Sequence, residues 1–214
     1  MATRGSESES AQEVHDALLA QGRRLEVVTI GWNLVEVFVT VGLGLAAASL
    51  SLIAFGLDSL VEIFASVVVI WYIGDHHATR RAMHAMRLVA LAFVVLGVYL
   101  LAASIYNLAV GSAADSSPLG IAYLAVAASA MFVLAFKKRA LARGAHSEPL
   151  AAEAHMTLLD GCLATSILVA LVLNAAWNIW WTDPAAALLV ALFCFREAAD
   201  NWSESHADTI GQLA

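Results

Sequence analysis

Asp58 and Glu62 stand four residues apart inside an apolar run. On a helix this spacing puts both carboxylates on one face, about 6 Å apart along the axis. Two negative charges so close repel, and they coexist when a cation sits between them or when one holds a proton. The pair reads as a cation site at which metal and protons are alternative occupants. Asn33 and Glu36 share a face at i, i+3 in the preceding apolar run, and Glu153, Met156, Thr157 and Asp160 do so at i, i+3, i+4 and i+7 in a later one. An ionised carboxylate in hydrocarbon costs from a few to many kcal/mol, so each acid needs a partner, a proton or a water-filled cavity.

Plainer roles stand beside these. Glu36 or Glu153 can be a structural acid that stays protonated, and Glu153 can cap the first turn of its helix. Met156 suits a core as well as a ligand shell. His155 points about 100° away from the Met156 direction, so packing at a lipid interface competes with ligation. Asp183 reads as an N-cap, and Cys162 and Cys194 as small buried packers with no metal knuckle between them.

The elements that must position these groups are membrane helices. The 214 residues, 22.6 kDa in all, are 61% hydrophobic and 14% charged, against roughly a quarter charged in ordinary soluble domains. With a mean hydropathy of +0.77, that excludes a disordered chain, and the formal charge of -7 disfavours nucleic acid. Apolar segments run at about 25–48, 51–73, 88–110, 118–136, 151–175 and 179–196, each near the ~20 residues that cross a bilayer. The fold class is an all-α membrane protein with six transmembrane helices: an acidic segment 1–22, a transport domain 23–197 and a short tail 198–214.

Charge sets the expected orientation. Arg23, Arg24, Arg80, Arg81, Arg87, Lys137, Lys138, Arg139, Arg143 and Arg196 all fall on one side, with Arg4 beyond them. The positive-inside tendency makes that side cytoplasmic, with both termini on it, and Trp177, Trp180 and Trp181 mark the opposite interface. Residues 1–22 have no basic n-region and no cleavage site, so a cleaved signal peptide is not expected. Counting ~1.5 Å per residue puts Glu36, Glu62 and Asp160 roughly 14–17 Å deep, near the midplane that alternating-access carriers use.

These residues resemble the cation diffusion facilitator transporters. The run Arg23-Arg24-Leu25-Glu26 through Trp32-Asn33-Leu34-Val35-Glu36 and the run Ser49-Leu50-Ser51-Leu52 through Asp58-Ser59-Leu60-Val61-Glu62 look like the family's helices 1 and 2. Trp181-Thr182-Asp183-Pro184-Ala185 looks like the start of its helix 6. In helix 5, where the family usually has Ala-Asp, a His and then an Asp, this chain has Ala152-Glu153, Met156 and Asp160, with Met156 at the histidine position. The family's usual cytoplasmic metal-binding domain has no counterpart here, so a compact member restricted to the membrane domain is expected. The resemblance implies a homodimer in the plasma (inner) membrane. Because some members bind metal between helices 2 and 3, it also marks Asp75, His76 and His77, with His84 beyond, as a second candidate site; a solvated loop is the alternative.

Together, the acids and the resemblance imply a proton-coupled antiporter that exports a divalent metal cation and has no enzymatic activity. Asp58, Glu62 and Asp160 are the expected ligands, with Met156 or His155 completing the shell, Asn33 as a neutral donor and Glu36 as a proton carrier or partner. Zinc leads on family precedent, although oxygen ligands with a thioether also suit iron(II) or manganese(II). A carrier of a monovalent cation and a non-transporting metal-binding or assembly protein are the rivals. The HExxH of membrane metalloproteases is absent.

Overall fold

In the computed structural model the described backbone covers residues 3–73, 79–112, 114–145 and 148–211, and the described side chains lie within 21–203, leaving out 23, 26, 65–86, 113, 145–150, 152 and 153. The chain is all-α, with helices α1 (Thr3–Ala46), α2 (Leu50–Ile73), α3 (Thr79–Val110), α4 (Pro118–Ala145), α5 (Glu148–Trp177) and α6 (Thr182–Gly211). Each apolar block falls mainly in one helix, with 47–48 and 179–181 lying just outside α1 and α6, and several helices run past their blocks. α1 starts at Thr3 and not near 25, and α6 carries the tail on to Gly211. Hydropathy reports where the bilayer would end, whereas the helical backbone ends only at caps and breakers.

Among the described residues four helices are long and apolar enough to cross a membrane, over Val27–Ala46, Arg87–Val110, Pro118–Gly144 and Ala154–Trp177. Large apolar side chains such as Phe38, Val95, Tyr106, Leu119 and Phe136 stand exposed along them. A soluble fold would bury such residues, and a lipid-facing surface requires them.

The chain divides into two compact units, one of residues 1–32 and 124–165, the other of 33–123 and 166–214. In the second, α3 packs along α6 and α2 lies against both. Leu52, Ala54, Phe55, Leu100, Ala187, Val190 and Cys194 form its core. At one end of this packing the Arg87 guanidinium lies 5.8 Å over the Trp202 ring. In the first unit α4 and α5 meet through Met131, Ala135 and Ala154, and a Cβ on Gly161 would stand 3.2 Å from Phe132.

The short turn from α1 to α2 explains how the site helices are registered. Ser49 N–H donates to Gly44 O at 2.9 Å and Ala48 takes a φ of 48°, the left-handed residue that closes a helix C-terminus. The two helices then approach closely at their glycines. A Cβ on Gly44 would come within 2.7 Å of Ile53 Cγ1 and 2.9 Å of its backbone N, and one on Gly56 would meet Thr40 Oγ1 and Val41 Cγ2. Gly56→Ala is therefore expected to cost about 1–3 kcal/mol by overpacking, read as a lower thermal midpoint in detergent; an unchanged midpoint would contradict this packing.

Asp183 differs from its expected part. It lies in the first turn of α6 but is buried and accepts from Ser49 Oγ (2.5 Å), Ser51 Oγ (2.6 Å) and Leu50 N–H (2.8 Å). It thus caps the N-terminus of α2, where an anion is favoured, and ties α6 to that helix. The α3 to α4 connection is pinned in turn by Asn174 Nδ2 donating to Ala114 O (2.8 Å) and Asp115 N–H donating to Ala47 O (2.8 Å).

Candidate functional site

α2 carries the centre of the site. Asp58 is 2% exposed and Glu62, one turn on, is half-buried on the same side. α1 supplies two partners at the expected i, i+3 spacing. Asn33 Nδ2 donates to Glu62 Oε2 at 2.9 Å, while Ser59 Oγ donates to Glu36 Oε1 at 2.6 Å, with Phe55 O a second acceptor at 3.1 Å. Four of the residues singled out in the sequence, Asn33, Glu36, Asp58 and Glu62, are therefore brought together by the α1–α2 pair.

α6 adds two that the sequence did not mark. Cys194 is fully buried, and its Sγ lies 3.4 Å from Asp58 Oδ1. Glu197, one turn further along α6, is also buried. Glu62, Glu197 and Glu36 all lie near enough to Asp58 to act on it electrostatically. A signal for this pair exists in the sequence, since Cys194 and Glu197 stand at i, i+3. It is masked because Arg196 between them reads as the end of the span.

Four carboxylates gathered in an apolar interior repel one another, and a bound cation or added protons relieve that repulsion. The arrangement also holds an oriented neutral oxygen. Donation from Nδ2 to Glu62 fixes the Asn33 amide, and leaves Asn33 Oδ1 buried with no hydrogen-bond partner. A buried acceptor in that condition carries a desolvation cost that a cation would remove. Among the described residues no three His, Cys, Asp or Glu side chains form a ready-made metal cage. Asp58 and Cys194 approach each other to 3.4 Å, and further donors would have to come from Asn33, side-chain rotation or water.

The residues predicted on α5 belong to the other unit. Asp160 is buried, and Thr157, on the same face, accepts from the Lys138 ammonium at 3.1 Å. Lys138 is itself completely buried, although its sequence neighbours Lys137 and Arg139 place it with the surface charges. Met156 is half-buried. His155 is exposed and lines a groove of about 200 Å³ with Arg139, Phe136 and Ala151, a setting in which a guanidinium works against a metal cation. Cys162 is exposed, not the buried packer expected of it. The Glu153 side chain and the Asp75, His76, His77 and His84 side chains lie outside the described residues.

The family model described as the cation efflux transmembrane domain matches residues 27–208. That range takes in Asn33, Glu36, Asp58, Glu62, Cys194 and Glu197, and Asp160 with them.

Proposed function

The chain belongs to the cation efflux family, a family of multi-pass membrane transporters of metal cations, and from that premise we propose that it exports a divalent metal ion from the cytoplasm in exchange for protons. The observation that carries this reading is the buried Asp58, with Glu62, Glu36 and Glu197 acting on it and an orphaned Asn33 oxygen beside Glu62. Such a set is unstable when ionised and empty, and is relieved by either of two cargoes.

In this reading all six helices cross the membrane with both termini cytoplasmic, in the plasma membrane, and the protein works as a homodimer. With the site open inward, Asp58 and Glu62 give up protons and take the ion through their oxygens, while Asn33 Oδ1 supplies a neutral donor. With the site open outward, protons compete for the same oxygens and release the ion. Glu36, held by Ser59, is a proton carrier or a partner that orients the ligands. Asp160 is assigned as a further carboxylate and Met156 as part of the shell on their helical spacing in the sequence and on the resemblance. Zinc is the favoured cargo, with iron(II) and manganese(II) behind it.

The direct test loads sealed vesicles with a pH dye and adds metal outside. Zinc addition is expected to move protons in the opposite direction, and sodium or potassium is not. Proton movement driven by sodium or potassium alone would replace this reading with a monovalent carrier. For Asn33→Ala, which removes the oriented amide without removing a charge, the apparent KM for metal is expected to rise about tenfold or more with maximal flux largely kept. An unchanged KM would remove Asn33 from the site.

A further inference from the structure

We infer that Cys194 is a ligand for the transported ion, so that its sulfur and the Asp58 carboxylate form a mixed donor pair that favours zinc or cadmium over manganese or magnesium. This rests on the transport reading above and adds a third helix, α6, to the cargo site.

The contrast with the other buried acids is informative. Asp183 is held by two serine hydroxyls and Glu36 by a third, at 2.5 to 2.6 Å. A hydroxyl is the strong neutral donor for a carboxylate that has only to be satisfied, and a thiol is a weak one. At Asp58 the partner is nevertheless a cysteine, fully buried, with Sγ 3.4 Å from Oδ1. Sulfur brings little to that hydrogen bond and much to a soft or borderline metal. Distance agrees. Zinc bonds of about 2.3 Å to sulfur and about 2.0 Å to oxygen, at a tetrahedral angle, span about 3.5 Å between the two donors.

A second observation points to a ligand beside Glu62, the next acid on α2 after Asp58. Asn33 is 6% exposed, its amide is fixed by donation to Glu62, and its Oδ1 has no partner. Glu62 and Glu197 both lie near Asp58. Cys194 Sγ, the Asp58 and Glu62 carboxylates and Asn33 Oδ1 are the four donors that such a site would use, two pairs of them already in contact, Cys194 with Asp58 and Asn33 with Glu62. Hard ions that want six oxygens would gain nothing from the sulfur.

The test uses the full-length protein with Cys162→Ser, which leaves Cys194 as the one thiol. Cadmium is added in detergent, its binding is measured by equilibrium dialysis, and the ultraviolet charge-transfer band of a cadmium–thiolate bond is recorded. The band is expected to grow in with bound cadmium and to be missing when Cys194→Ser is added. In vesicles Cys194→Ser is expected to lower zinc affinity about tenfold or more while changing manganese little. Bound cadmium with no thiolate band in the Cys162→Ser protein overturns the inference, even if Cys194→Ser fails to fold, and so does a zinc to manganese preference that Cys194→Ser leaves unchanged. Loss of all metal binding and flux in the wild type would instead overturn the transport reading, and this inference with it.

Discussion

Asp58→Ala is expected to abolish metal flux and to raise thermal stability in metal-free detergent. Asp58 is the more deeply buried of the two α2 acids, has Cys194 as its bonded neighbour and feels the carboxylates of Glu62, Glu197 and Glu36. Removing a supporting partner of a metal ligand typically costs 10- to 100-fold, and removing a charged ligand costs at least that, so flux should fall about 100-fold or more, to the level of protein-free vesicles. The same substitution takes one negative charge out of a crowded apolar interior. A structural acid behaves in the opposite way, because its loss strands the donors that bonded it and lowers the midpoint without a selective loss of flux. Wild-type flux in Asp58→Ala, or a lower midpoint with flux in proportion to folded protein, would place Asp58 outside the site.

The second large effect belongs to Asp183, which has no part in cargo binding. Asp183→Ala removes the acceptor of two buried hydroxyls and of the first free amide of α2, leaving all three donors to find new partners. Hydrogen bonds to charged groups contribute about 1.5–3 kcal/mol each and do not add fully, so a loss of about 4 kcal/mol is expected. At roughly 2–4 °C per kcal/mol for a chain of this size, the detergent midpoint should drop by about 10 °C. Asp183→Asn, which keeps one acceptor oxygen and presents an amide N–H₂ where the other stood, should fall between the two. A midpoint for Asp183→Ala equal to wild type would show that the α2 to α6 tie contributes nothing.

These two acids also show what the sequence could disclose. The pairing of α1 with α2 was readable because it depends on period alone. Asn33 with Glu36 and Asp58 with Glu62 each share a helical face, and two helices joined by a three-residue turn must lie side by side. Asp183 was readable as a capping residue from its place before Pro184, but not as the cap of a different helix. That assignment depends on the Ser49 to Ser51 segment being next to it in space, and Ser51 and Asp183 stand 132 positions apart in the chain.

Side-chain direction on α6 was the other hidden quantity. Cys162 and Cys194 sit in apolar blocks that look alike, yet one is exposed and the other touches Asp58. Around Cys194 the stretch 184–195 has no polar side chain, which leaves no polar stripe from which to infer its buried face. Lys138 was obscured differently, since its neighbours are surface charges and only packing against α5 reveals its burial beside Thr157. The end of α6 was unreadable because the chain leaves its apolar block with no glycine or proline before Gly211, and the start of α1 because the helix runs on through Gly22.

The central claim, that metal moves against protons through this protein, is tested most directly in sealed proteoliposomes holding a metal-sensitive dye under an imposed pH gradient. Zinc flux well above protein-free vesicles is predicted, collapsing when an ionophore dissipates the gradient, with iron(II) and manganese(II) carried more weakly. No gradient-dependent flux of zinc, iron(II) or manganese(II), with folded protein verified in the vesicles, would contradict it and leave the buried acids as the structure of a binding or assembly protein.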